Sequence, residues 1–367
     1  MKISLYALFF SLGLNKFYLY CFFLLIYLLF KKEYKNLSFN YLYLLWIILI
    51  FISILGIILF SQDWYRYLNT ILLLIISLVI IGYIYEKKDY TTQESLLKLY
   101  IYGMGFESIL IVMFSFIFIN ESGYGNLTHP FTNEKLNSPN ISENISILST
   151  LLIYEILRSK SILSTIIKSA LLLLCIYMGI FLASRTFLIV LILAIILLTI
   201  KNTIISKKYT VSFLFILGVI VFFLVLINQE FLYDYLNFFI NRFEDGIQSK
   251  RFEHYQDGLD KILNYPFGGF ETNPNIENIK WFHNVYLDFA KLGGWLSSIP
   301  LIILSIVVIY QIVKTFWFNS VINILAIVIL LIIQQGVVLE GNVRLIIILF
   351  FCSICLNSAI NKSSKIT

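Results

Sequence analysis

Apolar runs long enough to cross a bilayer recur from one end of this sequence to the other, and they limit the fold more than any other feature. Inside hydrocarbon every backbone N–H and C=O needs an internal partner, which leaves helices or a closed β-barrel. A barrel would show alternating segments of about ten residues, and the sequence has none. Only 13% of its residues are charged, against about a quarter in soluble domains. The chain therefore reads as an all-α polytopic membrane protein.

The expected spans are 17–30, 41–60, 67–85, 97–119, 144–158, 165–183, 186–200, 209–228, 294–313, 321–339 and 342–359. Residues 3–14 form a further short span or extend the first, so the total is eleven or twelve. Lysine and arginine placement gives the orientation. The KKEYK run at 31–35, Lys87 with Lys88, Arg158 with Lys160, the lysines of 201–208, Lys314, Lys362 and Lys365 all fall on one face, which is expected to be cytoplasmic. The opposite face receives the loop 120–143 and a long segment, 229–293, within one integral membrane domain spanning 1–367. In that segment Phe231–Phe243 and Tyr255–Leu263 have helical periodicity, predicting short helices across the outer mouth of the bundle.

Several functions find no support. Cys21, Cys175, Cys352 and Cys355 sit in apolar runs, and the Cys352-x-x-Cys355 pair has no partner pair, so they read as ordinary helix residues. The +6 charge lies mostly at segment ends, which gives no nucleic-acid signal. No phosphate-binding glycine loop or metal-ligand cluster is present, so ATP-driven transport has no basis.

Four places carry chemistry. Ser184–Arg185–Thr186 interrupts the apolar stretch 171–200, and an arginine at that depth either binds an anion or snorkels from a turn. Arg251 opens an amphipathic stretch that ends at Pro266, Gly268 and Gly269. With Arg242 it offers planar donors for phosphate, or it pairs with Glu244, Asp245 and Glu253. His283–Asn284 precedes Gly293–Gly294, and His283 either takes a proton near neutral pH or caps a helix. His254 and His129 have weaker claims, being expected on solvated loops. Glu340 and Arg344, at i,i+4 spacing, read as an ion pair or as an electrostatic part of the site; Arg66 with Asp63 is similar.

Taken together these elements resemble the bacterial O-antigen polymerase and ligase family. Its C-terminal homology region opens with an apolar span ending in Ser-Arg-Thr or Ser-Arg-Gly. An arginine then starts a helix that closes in a Pro-x-Gly-x-Gly-like turn, and a His-Asn pair follows with a glycine about ten residues on. Here Ser184–Arg185–Thr186, Arg251 with Pro266, Gly268 and Gly269, and His283–Asn284 with Gly293–Gly294 match in order. The likeness is strongest over residues 138–300, including Ser138–Pro139–Asn140. Pro-Phe-Gly-Gly lacks the spaced second glycine, and Ser297 stands where ligases often have Gly, Thr or Tyr.

The resemblance implies a GT-C-like, metal-independent membrane glycosyltransferase without a cofactor, acting on an undecaprenyl-diphosphate-linked glycan. Arg185 and Arg251 would hold the diphosphate, and His283 would act on the acceptor hydroxyl. Ser184, Asn284, Glu340, Arg344, Arg242 and Arg66 would support them. A chain-length regulator is an implied partner. A repeat-unit polymerase for O-antigen or capsule is the first expectation, and transfer of finished glycan to lipid A-core is the second. A flippase for lipid-linked sugars is the alternative of another class, but the candidates gather at outer turns rather than along a central cavity.

Overall fold

In the computed structural model, residues 2–14, 39–119, 126–130, 133, 135–182, 184–206, 251–276, 279–317, 320–339 and 342–363 are described. The expected spans 17–30 and 209–228 and the helix Phe231–Phe243 lie outside them. In chain order the elements are α1 (Lys2–Gly13), α2 (Tyr41–Phe60), α3 (Trp64–Glu86), α4 (Tyr90–Ile119), β1 (Asn126–Thr128) and β2 (Lys135–Asn137). Then follow α5 (Ser138–Arg158), α6 (Ile162–Phe181), α7 (Arg185–Ser206), α8 (Arg251–Asn264), α9 (Val285–Thr315), α10 (Ile322–Ile332) and α11 (Arg344–Ser363). Among the described residues six helices are long and apolar enough to cross a membrane: α2, α3, α4, α6, α9 and α11. The protein is an all-α polytopic membrane protein, and its described strands are confined to one small hairpin.

The chain falls into two compact units. The first holds Met1–Tyr100, Lys250–Phe316 and Ile329–Thr367, and the second holds Ile101–Ser249 and Trp317–Val328.

In the first unit, lipid supplies no hydrophobic drive between spans, so close contact between small residues and buried hydrogen bonds must hold them. Gly56 on α2 lies against Gly293 and Ser297 of α9, and Ser297 Oγ donates to Ser53 O at 2.7 Å. Trp46 Nε1 donates to Ser353 Oγ at 2.9 Å, and that hydroxyl donates to Gln311 Oε1 at 2.8 Å, linking α2, α11 and α9. A widened π turn at Ser77–Ile81 frees backbone acceptors within α3. The buried Tyr43 hydroxyl takes them up, reaching Leu78 O at 2.9 Å and Val79 O at 2.8 Å.

In the second unit α5 begins at Ser138 rather than at the expected 144, with Pro139 in its first turn, where a missing N–H costs nothing. It is unusually polar for a buried helix. Ser142, Ser146, Ser149 and Thr150 satisfy themselves by donating to carbonyls three or four residues back. Gly179 lies under the Phe187 ring where α6 gives way to α7, and both helices pack on α5.

The structure changes two expectations. The apolar run 321–339 is helical only over Ile322–Ile332 and turns through 333–339, because backbone groups there bond elsewhere in the first unit. His129 and His254 are not on solvated loops. The hairpin folds inward, with Thr128 N donating to Ser115 Oγ at 2.9 Å, and carries His129 to 3.5 Å from Glu107. His254 faces the protein from α8 and is fully buried.

Candidate active site

In the first unit the chain enters α9 through a backbone that only a strong set of partners would maintain. His283 has φ of 56°, the left-handed region. This conformation costs a residue with a Cβ roughly 1–2 kcal/mol. Asn284, not His283, is the cap: its Oδ1 accepts from Tyr286 N at 3.1 Å and Leu287 N at 3.3 Å. Its Nδ2 donates to Gln334 Oε1 at 3.0 Å. The Tyr255 hydroxyl on α8 reaches both His283 O at 3.3 Å and Gln334 O at 3.1 Å. Val285 N donates to Ile333 O at 3.0 Å. Asp288, buried in the first turn of α9, accepts from Phe282 N at 2.8 Å and suits the positive end of that helix. His283 is thus gripped on both sides, its side chain half-buried.

The glycine turns meet directly. Gly268 and Gly269, at φ of 81° and 80°, follow Pro266, and Gly294 at φ of 61° breaks α9 with Gly293. Trp295 N donates to Pro266 O at 2.9 Å, and Gly269 N donates to Lys291 O at 2.8 Å. A Cβ on Gly294 would strike Pro266 O and would lie 2.6 Å from backbone atoms of Phe267. The Pro-Phe-Gly-Gly turn is seated on the kink, so the sequence-distant glycines serve one contact. Beside it Lys291, buried, bonds Glu271 and donates to Lys280 O at 2.8 Å, with Trp281 at 5.3 Å. This fastens the 271–281 loop to α9.

In the second unit Ser184 both ends α6 and caps α7: its N–H reaches Gly179 O at 3.3 Å and its Oγ accepts from Phe187 N at 3.2 Å. Its hydroxyl donates to Ser142 Oγ at 2.8 Å, fixing the turn to α5. Arg185 is the first residue of α7 and is half-buried. A cation there adds to the positive helix end rather than balancing it.

The remaining candidates fall as follows. Arg251 opens α8, and its side chain lies outside the described residues, as do Arg242 and Glu340. Arg344 opens α11, and its Nη1 donates to Gly13 O at 3.0 Å from a buried position. Arg66 pairs with Asp63 at 3.3 Å with both side chains about half exposed, a pair of small worth. Sequence reasoning missed Tyr255, Gln334, Asp288 and Lys291. Gln334–Gln335, a polar pair within an apolar run, was the available signal.

Residues 170–296 match the family model described as O-antigen ligase. Over that stretch the chain is similar to the O-antigen ligase family. The matched stretch is about a third of the chain and contains Ser184–Arg185–Thr186, Arg251, the Pro266–Gly269 turn, His283–Asn284 and Gly293–Gly294. Arg66, Glu340 and Arg344 lie outside it. The family's members are membrane glycosyltransferase-like enzymes. No curated protein matches the chain.

Proposed function

We propose that the protein polymerises undecaprenyl-diphosphate-linked oligosaccharide repeat units, of O-antigen or capsule, at the extracytoplasmic face of the plasma membrane. The observation that carries the reading is His283, strained and held by Tyr255 and its neighbour Asn284 inside the matched stretch. In the reaction an acceptor sugar hydroxyl attacks the anomeric carbon of the donor glycan. The bond from that carbon to the diphosphate oxygen breaks, and the lipid diphosphate leaves with the electron pair. His283 accepts the hydroxyl proton, while Arg185 and Arg251 offset the charge on the departing diphosphate. Transfer to lipid A-core would use the same groups with a different acceptor. Ser297, which departs from the ligases, spends its hydroxyl on Ser53 O within the helix packing.

Two measurements test this. In a strain deleted for the gene, surface glycan resolved by size should show a single repeat unit on lipid A-core, or loss of polymerised capsule. Bare core with long polymer on the lipid carrier would mean a ligase, and an unchanged profile would refute the reading. Arg185→Lys keeps the charge but loses the fork. Losing one charge-assisted bond, about 1.5–3 kcal/mol, should weaken donor binding roughly 10–100-fold in a transfer assay with purified protein. Unchanged KM would show that Arg185 merely snorkels.

A further inference from the structure

α8 carries two apolar faces. One, with Tyr255, Gly258 and Ile262, packs on the Phe282 and Leu287 side of α9. The other is an open stripe: Phe252, Leu259 and Leu263 recur at i, i+7 and i+11, and are 81%, 60% and 68% exposed. Tyr265 and Phe267 extend it into the following turn, both more than half exposed. Three large apolar groups in one line on a short helix have no place in water.

The height of α8 is fixed by two spans. The kink at Gly293–Gly294 divides α9, so its membrane-crossing part begins at Trp295 and runs through residues 295–315, roughly 30 Å of helix. Trp295 Nε1 donates to Ile262 O on α8 at 2.9 Å. Phe60, the last residue of α2, has its ring 5.1 Å from that of Phe267. The C-terminal half of α8 and its turn therefore lie at the level where α2 and α9 leave the hydrocarbon, with a tryptophan at that level as membrane interfaces favour. The exposed faces of those spans, Leu55, Ile58 and Leu59 on α2 and Leu296, Ile299 and Ile302 on α9, are the lipid-facing surface of a polytopic protein. Phe267, at the end of the stripe, meets the end of α2 at Phe60.

We infer that α8 is an interfacial helix whose Phe252–Leu259–Leu263 stripe is immersed in the acyl-chain boundary of the bilayer. Its charged residues fit that depth. Asp257 and Lys261 pair at 2.8 Å, and Glu253 and Asp260 are exposed beside the stripe. Acidic flanks gain nothing from anionic headgroups and must stay at the watery headgroup level, so immersion of the stripe depends on its apolar area.

The test uses the full-length protein in nanodiscs, with an environment-sensitive fluorophore on Leu259→Cys or, separately, Leu263→Cys. The same label on Asn275→Cys, in the exposed 271–276 loop, serves as the aqueous reference. Both stripe positions are surface sites; Cys175, Cys352 and Cys355 are buried and Cys21 lies outside the described residues, so a control lacking the new cysteine sets the background. The expected result is strong quenching of the stripe labels by acyl-brominated phosphatidylcholine and several-fold weaker quenching by iodide than at Asn275, unaltered by adding anionic lipid. Iodide quenching equal to that at Asn275 would overturn the proposal by placing the stripe in water. Protection from both quenchers would overturn it by showing that protein covers the stripe. Neither outcome depends on which glycan the enzyme joins.

Discussion

Replacing His283 with alanine is expected to reduce glycan transfer by about 10²–10⁴-fold, the usual contribution of a positioned general base, with protein level and membrane insertion unchanged. Alanine alone would be an ambiguous probe, because the backbone at 283 is left-handed and alanine adopts that region reluctantly. Asparagine resolves this, since it tolerates the left-handed conformation and has no basic nitrogen. His283→Asn should keep the Tyr255 and Gln334 contacts, retain the thermal stability of the parent and still be inactive. Transfer at the parental rate by His283→Asn, measured with lipid-linked substrate and purified protein, would remove His283 as the base.

Gly294→Ala should be the most damaging single-methyl change in the first unit. Two costs add there. The backbone at φ 61° and ψ −149° lies in a region essentially confined to glycine, which costs a residue with a Cβ about 1–3 kcal/mol. The new methyl would also meet Pro266 O and the backbone of Phe267, which cannot rotate aside as a side-chain tip can. Gly269→Ala separates the two costs: its φ is 80°, yet nothing lies within 4 Å of a Cβ there. Gly269→Ala is therefore expected to lose only the conformational part, while Gly294→Ala loses more and unseats the turn. Thermal denaturation of both variants in the same detergent checks this. Equal loss would mean that the contact with Pro266 contributes nothing.

What the sequence made legible depended on how local the cause was. Tyr41–Phe60 and Ile162–Phe181 form where composition places them, because a lipid-crossing helix needs only its own apolar residues. The hinge at Ser184 and the turns at Gly268 and Gly294 were readable for the same reason: a cap and a positive φ leave their mark on the residue itself. The early end of α10 was only partly readable. Gln334-Gln335-Gly336 marks a break in the apolar run, but the groups that hold it, Val285 N on Ile333 O and Tyr255 on Gln334 O, come from elsewhere in the chain. Such irregular backbone inside a membrane protein is tolerated where protein encloses it. Arg344 shows the same limit, since its acceptor, Gly13 O, comes from the opposite end of the sequence. Likewise the inward hairpin that buries His129 rests on three-residue strands too short to announce themselves.

The hold on His283 has a consequence for how the molecule is made. Its backbone is braced through Tyr255, behind it in the chain, and through residues 333–334, which leave the ribosome long after it. A nascent chain that ends between His283 and Ile333 still lacks those carbonyls. Until the segment after α10 is synthesised, Tyr255 alone of these partners is at hand for His283. The backbone around His283 is thus completed only after residues 333–334 have joined Tyr255 and Val285 beside it.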